Sequence, residues 1–303
     1  PGRWGTYLAI GSVGEPFHPL GAEKTLSYID AFARYLGNPI QFSTKMLTPR
    51  LAASLGRFRG IPLSPLVTII TFKRWEALEP HSLPPEQRLE TIKEMRERGL
   101  YPALFLRPLI PGINVDEAED LITEAKRYGA VAVVIGGFRV TPAILKRLEK
   151  SGLQVNEILR RVDRSRLREG RQVPLRMRDI KSRVVDVARK AGIVPLLNAC
   201  CANTLAAYLA TGERVPCAGL CYAKGGCTQC PVRCWEALDD VEVEYLRRFL
   251  RSRGLDVSDV YVSGYDIVIA AEKHRSLEKK LKRTGLLVLI ETAYRRRVRV
   301  GAR

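Results

Sequence analysis

The sequence predicts an α/β protein, a partial (β/α) barrel that is followed by a cysteine-rich metal-binding segment and a small α+β unit. Two observations predict this fold class. From residue 6 to residue 197, short and almost continuous apolar runs alternate with amphipathic segments, and such runs are typical of strands buried on both faces of a parallel sheet. Polar residues gather where the runs end, on the side of a (β/α) barrel where chemistry is assembled.

Six apolar runs are predicted to form the sheet, with amphipathic helices between them. The runs are residues 6–10, 39–44, 66–71, 101–106, 131–135 and 193–197. The helical segments are residues 22–36, 49–55, 85–98, 116–128 and 142–150. The first run leads into the glycine-rich loop 11–14, and the second delivers Ser43, Thr44 and Lys45 to its C-terminal end.

The last part of the chain divides into three kinds of segment. Residues 156–190 are rich in arginine and present either a basic helical face to a polyanion or a solvated surface; both interpretations remain open. Beyond Trp235 we expect a helix over 241–253, a hairpin of 257–262 with 266–271, a helix over 272–283, a strand over 286–291 and a basic tail over 294–303. Such a tail either contacts phosphates or lacks fixed structure. The expected domains are therefore 1–198, 199–236 and 237–303.

The composition indicates a globular protein with a polyanionic partner. The 303 residues carry 50 Lys and Arg against 32 Asp and Glu, a formal charge of +18, which favours tRNA first and DNA second. A thermophilic source would also explain a highly charged surface. No apolar run approaches the roughly 20 residues needed to cross a bilayer, so we expect a soluble, cytoplasmic protein. The oligomeric state is left open.

Cysteines concentrate in one short stretch. Five of the seven lie between residues 217 and 234, at Cys217, Cys221, Cys227, Cys230 and Cys234, with Cys200 and Cys201 upstream. The Cys-x-x-Cys pair at Cys227 and Cys230 has the spacing with which two cysteines commonly bind one metal ion. The glycines at 225 and 226 allow a tight turn between this pair and the cysteines before it. Zinc and an iron–sulfur cluster both fit this spacing. A disulfide framework is disfavoured, because the chain is long enough to bury its own core and shows no secretory signal. The favoured ligands are Cys217, Cys221, Cys227 and Cys230.

Five short motifs follow one another at the predicted strand ends. They are Gly11-Ser12-Val13-Gly14-Glu15-Pro16-Phe17-His18-Pro19; Ser43-Thr44-Lys45; Thr68-Ile69-Ile70-Thr71; Leu78-Glu79-Pro80 with Arg88; and Arg107-Pro108-Leu109-Ile110-Pro111-Gly112-Ile113-Asn114. Because these motifs occur in this order, residues 6–150 of the chain resemble radical S-adenosylmethionine (radical SAM) enzymes. Within that family the chain is most similar to the branch of spore photoproduct lyase and its archaeal relatives.

The resemblance implies that S-adenosylmethionine lies across the carboxyl ends of the strands. A [4Fe-4S] cluster, reduced by an electron donor, would cleave it to a 5′-deoxyadenosyl radical. In this family Glu15 would accept hydrogen bonds from the methionine ammonium, Lys45 and Arg107 would pair with the carboxylate, and hydroxyl groups would bind the ribose. The implied cofactor-binding residues are Gly14, Glu15, Ser43, Thr44, Lys45, Thr71 and Arg107. Taken singly, each of these can instead be structural, as can the pair of Glu79 with Arg88.

One departure from the family pattern concerns the cluster cysteines. The family carries Cys-x-x-x-Cys-x-x-Cys in the loop after the first barrel strand, whereas nothing before Cys200 is a cysteine. We expect that strand and loop to lie upstream of Pro1; the alternative is a degenerate relative without radical chemistry. The cysteines of 217–234 would then form an auxiliary centre.

Three functions are compatible with these features. The first is a radical SAM enzyme that modifies nucleic acid and carries an auxiliary Cys-ligated centre. The second is a non-catalytic nucleic-acid-binding protein with a degenerate barrel and a structural zinc. The third is an iron–sulfur enzyme that acts on a small molecule or a peptide.

Overall fold

Six strands form one parallel sheet within residues 1–215. The structure is a computed structural model, and it describes every residue except 1, 3, 4, 216–219, 239 and 303. The strands of this part of the chain are β1 (Leu8–Ile10), β2 (Ile40–Thr44), β3 (Leu63–Thr68), β4 (Ala103–Leu109), β5 (Ala132–Gly137), β6 (Arg139–Val140), β7 (Val173–Pro174) and β8 (Val194–Leu196). The sheet has the order β1-β2-β3-β4-β5-β8, and neighbouring strands are parallel throughout.

The sheet is open, with β1 at one end of the order and β8 at the other. All six residues of β3 are buried, as are four of the five residues of β2. Burial on both faces explains why these strands appear in the sequence as continuous apolar runs. The predicted α/β fold class, with a partial (β/α) barrel, is confirmed.

Helices connect the strands and cover the sheet. They are α1 (Ala22–Ala31), α2 (Pro49–Ser54), α3 (Trp75–Leu78), α4 (Pro85–Glu97), α5 (Ala118–Arg127), α6 (Pro142–Lys150), α7 (Asn156–Arg161), α8 (Arg178–Lys190) and α9 (Ala199–Thr211). Both α2 and α6 begin with proline directly after a threonine whose hydroxyl accepts a backbone hydrogen bond, from Leu51 and Ile144 respectively. This local chemistry starts a helix independently of the rest of the fold.

The last helix of this unit, α9, is tied to the sheet by amide side chains. Gln41 Nε2 on β2 donates to the carbonyl of Ala199 at 2.8 Å, and Asn203 Nδ2 donates to the carbonyl of Ile40 at 3.3 Å. The helix also contacts β3, β5 and β8. The first compact unit therefore extends through α9 and ends at Val215, so that Cys200 and Cys201 belong to it.

Residues 216–303 form a second compact unit with a three-stranded sheet of order β11-β10-β9. Its elements are α10 (Val243–Ser252), β9 (Asp259–Ser263), β10 (Asp266–Ala270), α11 (His274–Arg283), α12 (Leu286–Tyr294) and β11 (Arg297–Gly301). β9 and β10 form an antiparallel hairpin, as the sequence predicts, and β11 runs parallel to β10. The unit has its own core, in which Leu250, Ile267, Ile269 and Leu281 are fully buried.

One predicted element of this unit is wrong, and the basic tail does not lack fixed structure. Residues 286–291, predicted as a strand, lie in α12, because a short apolar run does not by itself distinguish a strand from a buried helix. The basic tail is also ordered in part: β11 alternates arginine with valine, Val298 is buried, and Asp266 binds Arg297 and Arg299. Alternation of this kind is typical of a half-buried strand.

Among the described residues of both units, none of the helices combines the length and the apolar character that a membrane span requires.

A buried amide holds the loop that follows β4. Asn114 is completely buried, and its Nδ2 donates to the carbonyls of Ile70 at 2.9 Å and Pro108 at 3.0 Å. Its Oδ1 accepts from the backbone N–H of Ile110 at 2.7 Å. One side chain thus fixes the loop against the end of β3.

We predict that Asn114→Ala lowers the free energy of unfolding by roughly 3 kcal/mol, because three buried backbone groups lose their partner together. Urea denaturation followed by circular dichroism measures the change. Asn156→Ala, at an exposed position in α7, is the matched control and should change stability by less than about 0.5 kcal/mol. Equal effects of the two substitutions would contradict this account of the loop.

Candidate functional site

A cleft of about 280 Å³ opens at the carboxyl ends of β1, β2 and β3. Its walls are the loop of residues 11–15, the segment Ser43, Thr44 and Lys45 that ends β2, and Thr68 at the end of β3. The cleft brings together five of the residues that the resemblance implies, namely Gly14, Glu15, Ser43, Thr44 and Lys45. This is the edge of a parallel sheet at which ligands of α/β folds bind.

Gly11 allows the loop to approach β2 closely. It has φ of +86°, and a Cβ at this position would lie 2.7 Å from the carbonyl oxygen of Ser43 and 2.9 Å from Pro16 Cδ. Only glycine fits this contact. Gly14, in contrast, borders open space: a Cβ added there would meet no heavy atom of the described chain within 4 Å, so this glycine widens the mouth of the cleft.

The carboxylate of Glu15 fastens the loop to the end of β2. Its Oε1 accepts from Thr44 Oγ1 at 2.6 Å and from the backbone N–H of Phe17 at 3.1 Å, and its Oε2 accepts from the backbone N–H of Lys45 at 2.8 Å. An ionised carboxylate offers about four acceptor positions. Three are used, which leaves one acceptor position without a donor from the described part of the chain.

Lys45 connects the cleft to a buried ion pair. Its Nζ lies 3.0 Å from Glu79 Oε1, although the angles are not those of a hydrogen bond. Glu79 Oε2 accepts from an Arg88 terminal nitrogen at 2.6 Å, and the same nitrogen donates to the carbonyl of Thr68 at 2.7 Å. The Glu79 and Arg88 side chains are each 1% exposed, whereas that of Lys45 is 42% exposed.

Two cations therefore share one carboxylate behind the cleft. The remaining nitrogens of Arg88, Nε and one terminal nitrogen, make no hydrogen bond within the described part of the chain. The group of Lys45, Glu79 and Arg88 carries a net positive charge, and only Lys45 exposes it to solvent. Lys45 thus brings positive charge to the lining of the cleft.

Thr71 and Arg107 lie outside this cleft. Thr71 is completely buried and donates to Glu117 Oε1 at 2.7 Å, while Glu117 Oε2 accepts from the backbone N–H groups of Phe72 and Lys73. Arg107 is exposed on β4, with its side chain against Gly136 of β5. The roles of both residues toward a cofactor stay predictions.

Glu117 is a residue that sequence reasoning missed. It precedes the amphipathic helix α5, where an acidic residue ordinarily stays at the surface and interacts with the helix dipole. Its burial follows from the Thr71 hydroxyl and the two backbone donors that the loop after β3 presents to it, and nothing in the local sequence signals them.

The predicted metal ligands are distributed over both units. Cys200 and Cys201 lie in α9, while Cys221, Cys227, Cys230 and Cys234 are half-buried in the second unit, and Cys217 lies outside the described residues. The backbone N–H of Gln229 donates to Cys227 Sγ at 3.3 Å. Burial raises the pKa of the Cys230 thiol, and the neighbouring Cys227 raises it further.

Within the described ranges, no three Cys, His, Asp or Glu side chains lie close enough together to hold a metal ion. The donor set for an auxiliary centre is therefore not assembled by these residues, and we derive no chemistry through it. The cysteine centre stays a prediction.

We predict that Glu79→Gln destabilises the protein by about 3–5 kcal/mol, because Arg88 is left as a buried charge without a counter-ion. Lys45→Met removes only the half-exposed cation and should reduce the free energy of unfolding by less than about 1 kcal/mol. Denaturant titration of both variants measures the difference. Glu97→Gln, at an exposed position of the same helix as Arg88, is the control. A larger loss in Lys45→Met than in Glu79→Gln would contradict the assignment of Glu79 to Arg88.

Comparison with known proteins finds similar sequences and structures, although no family model matches the chain. The radical SAM Nalpha-GlyT isomerase of Pseudomonas phage M6 is 26% identical over 149 residues, which cover 46% of this chain and 30% of the phage protein. A spore photoproduct lyase mutant with bound AdoMet and dinucleoside spore photoproduct has a TM-score of 0.49 at 14% identity, over 63% of this chain and 60% of that chain.

A second spore photoproduct lyase mutant has a TM-score of 0.48 at 15% identity and the same coverage. The chain thus spans less than two thirds of the length of each of these proteins, all of which are named as enzymes. Over 149 residues the chain is similar to a radical SAM enzyme, in agreement with the resemblance that the motifs of residues 6–150 indicate.

Proposed function

We propose that the first unit is the S-adenosylmethionine-binding part of a radical SAM enzyme. The observation that carries this proposal is the presence of opposite charges in the lining of one cleft: Glu15 keeps an acceptor position, and Lys45 exposes the net positive charge of its group. A free amino acid moiety needs both, because its ammonium requires an acceptor and its carboxylate a cation.

The remaining groups of the cleft suit the rest of such a ligand. Ser43 Oγ makes a 3.3 Å hydrogen bond to the carbonyl of Gly11, and its lone pairs can accept from a sugar hydroxyl. Gly14 has no side chain, so a ligand can come close to the backbone of the loop. When it is bound beside a reduced iron–sulfur cluster, S-adenosylmethionine supplies the radical chemistry; the contribution of these residues is to bind and orient it.

Residues 1–199 contain no cysteine that could hold this cluster. An electron donor would be required. The cysteine-rich segment is proposed to bind an auxiliary iron–sulfur centre, with zinc as the alternative.

We propose nucleic acid as the substrate, tRNA before DNA. The support is a groove of about 950 Å³ beside the start of α8, whose charged lining residues are Glu157, Arg160, Arg161, Arg176, Arg178 and Asp179. A smaller cleft of about 400 Å³ that shares Glu157, Arg161 and Asp179 adds Arg183. Arginine outnumbers acidic residues around this groove, which suits a phosphate backbone.

The arginines of the groove and of the smaller cleft differ in whether an acid binds them. Arg161 donates to both oxygens of Asp179 at 2.8 Å, and this contact holds the pKa of that carboxyl at about 2. Arg178 and Arg183 form no hydrogen bond or ion pair with the part of the chain that the structure describes, and both are exposed. Arg161 therefore shapes the groove, while Arg178 and Arg183 are available for phosphates.

We predict that Glu15→Gln weakens S-adenosylmethionine binding at least ten-fold, because a charge-assisted hydrogen bond to the ammonium contributes about 1.5–3 kcal/mol. Equilibrium dialysis with labelled ligand measures the dissociation constant. 5′-Methylthioadenosine, which lacks the amino acid moiety, is the matched ligand control, and its affinity should change less than two-fold. An equal loss for both ligands would mean that the variant has only collapsed the loop.

The activity itself is tested on the full-length encoded protein, reconstituted anaerobically with iron and sulfide. We expect 5′-deoxyadenosine to form from S-adenosylmethionine in the presence of a strong reductant. If none forms and the protein instead holds stoichiometric zinc without colour, the non-catalytic nucleic-acid-binding function replaces this proposal.

We predict that the double variant Arg178→Gln/Arg183→Gln binds RNA with a weaker dependence on salt. The magnitude of the slope of log K against the logarithm of the salt concentration should fall by about 1.4–1.8, since each phosphate contact contributes about 0.7–0.9. Fluorescence anisotropy over a series of salt concentrations measures the slope. Arg50→Gln/Arg57→Gln removes the same charge at two exposed positions of the α2 region and is the control. Equal slopes for the two double variants would exclude the groove, and a protein without salt-dependent binding would favour a small-molecule or peptide substrate.

A further inference from the structure

One face of the three-stranded sheet in the second unit carries an aromatic and a cationic side chain in the same row. Side chains alternate between the two faces of a strand, and residues that are paired in register share a face. Val268 of β10 is paired with Tyr261 of β9 and with Arg299 of β11. These three side chains therefore lie side by side across the full width of the sheet.

The opposite face of the sheet packs on the core of this unit. Val260 and Ile269, which are paired in register on that face, are buried members of the core, whereas none of Tyr261, Val268 and Arg299 belongs to it. Tyr261 is 44% exposed, and the Arg299 side chain is 60% exposed. Both ends of the row are therefore accessible to a ligand.

Tyr261 differs from the other exposed tyrosines in that its ring has no partner. Within the described part of the chain its hydroxyl forms no hydrogen bond, and its ring contacts no other ring or cation. The other four exposed tyrosines each have a ring or a cation beside them: Tyr28 has Phe32, Tyr35 has Arg34, Tyr245 has Phe249 and Tyr265 has Tyr222. Tyr261 thus presents an unoccupied aromatic surface.

Two arginines share one acid at the other edge of this face. Arg297 donates to both oxygens of Asp266, at 2.9 Å and 2.7 Å, and Arg299 Nε lies 2.5 Å from Asp266 Oδ2. The two terminal nitrogens of Arg299 form no hydrogen bond with the residues that the structure describes. The three side chains together keep a net positive charge, and Asp266 orients both guanidinium groups.

This combination suits a ligand in which flat rings alternate with negative charges. A base stacks on an aromatic ring or on a guanidinium plane, and arginine attracts the phosphates beside it. A purely apolar partner would leave Arg299 without a counter-charge, and a simple anion would leave the ring of Tyr261 unused. Bases in a duplex already stack on one another, so only unpaired bases can use the ring.

We propose that this face of the second unit binds a single-stranded segment of nucleic acid, with a base stacked on Tyr261 and the backbone directed to Arg299. Neighbouring strands are about 4.8 Å apart, so the backbones of the two residues are about 10 Å apart and the ligand spans more than one nucleotide. The proposal rests on nucleic acid being the partner, as proposed above, but it uses neither the Glu15 cleft nor the arginine groove.

Photocrosslinking of the full-length protein locates the contact directly. We expect a short single-stranded RNA that contains 4-thiouridine to form an adduct with Tyr261 or an adjacent residue of β9, identified by mass spectrometry. An excess of the same RNA without the thio group should suppress the adduct. Adducts that are confined to residues outside β9, β10 and β11 would overturn the proposal.

Fluorescence anisotropy with a labelled single-stranded RNA measures the contribution of the ring. Tyr261→Leu should weaken binding about ten-fold, because one base loses its stacking partner, whereas Tyr261→Phe keeps the ring and should stay within about two-fold of the wild type. Tyr245→Leu, at an exposed position of α10 whose ring already has a partner, is the matched control and should change the affinity less than about 1.5-fold. For a blunt duplex of the same sequence, Tyr261→Leu should also have less than about a 1.5-fold effect.

The dependence of binding on salt separates the ring from the charge. Arg299→Gln should reduce the magnitude of the slope of log K against the logarithm of the salt concentration by about 0.7, the contribution of one phosphate on a single strand. Tyr261→Leu should leave that slope unchanged. Circular dichroism checks that both variants keep the fold and the melting temperature of the wild type.

Three results would overturn the proposal. The first is an unaltered affinity of Tyr261→Leu for the single strand. The second is an equal loss in Tyr261→Phe, which would assign the effect to the hydroxyl. The third is a changed oligomeric state of Tyr261→Leu in sedimentation with unaltered RNA binding, which would show that the face contacts a second copy of the chain. Formation of 5′-deoxyadenosine and the slope of the Arg178→Gln/Arg183→Gln variant are measured separately, so failure of the proposed function and failure of this surface are distinguishable.

Discussion

The carboxylate of Glu79 is the contact on which the edge of the sheet depends. It lies between Lys45 and Arg88, is 1% exposed, and neutralises only one of the two cations. Arg88 in turn binds the carbonyl of Thr68, which ends β3. Because a buried arginine without a carboxylate is strongly unfavourable, the position of the acid fixes helix α4 against the strand that forms one wall of the cleft. The surplus positive charge reaches the cleft through Lys45, which follows β2.

Much of this architecture could be predicted because it is local. Helix α6 has the bounds that the sequence predicts, since a threonine cap and a first-turn proline define its start. The strand ends that bring Glu15 close to Thr44 and Lys45 follow from parallel pairing, which collects the carboxyl ends of strands at one edge. Where periodicity is ambiguous, as in residues 286–291, the sequence alone does not decide between helix and strand.

The unpredicted part of the site consists of contacts made across long stretches of chain. Thr71 is predicted to face a ligand, but 46 residues later Glu117 supplies a buried acceptor for its hydroxyl. Lys181 gives no signal in a segment crowded with arginine, because its place beside Gly137 of β5 depends on how α8 returns over that strand. The composition shows that this segment is positively charged. Only the tertiary structure shows that Asp179 binds Arg161, whereas no described acid binds Arg178 or Arg183.

Lys45 and Arg107, the two cations that the resemblance assigns to the carboxylate, come from different strands. Lys45 follows β2 and Arg107 lies on β4, with β3 between them. Neighbouring strands are about 4.8 Å apart, so two strand spacings place the backbones of these residues about 10 Å apart along the edge. Lys45 Nζ lies 3.0 Å from Glu79 Oε1, whereas the stem of Arg107 lies on Gly136 of β5. The Glu15 cleft thus offers both signs of charge without Arg107, and a zwitterionic head group suits it.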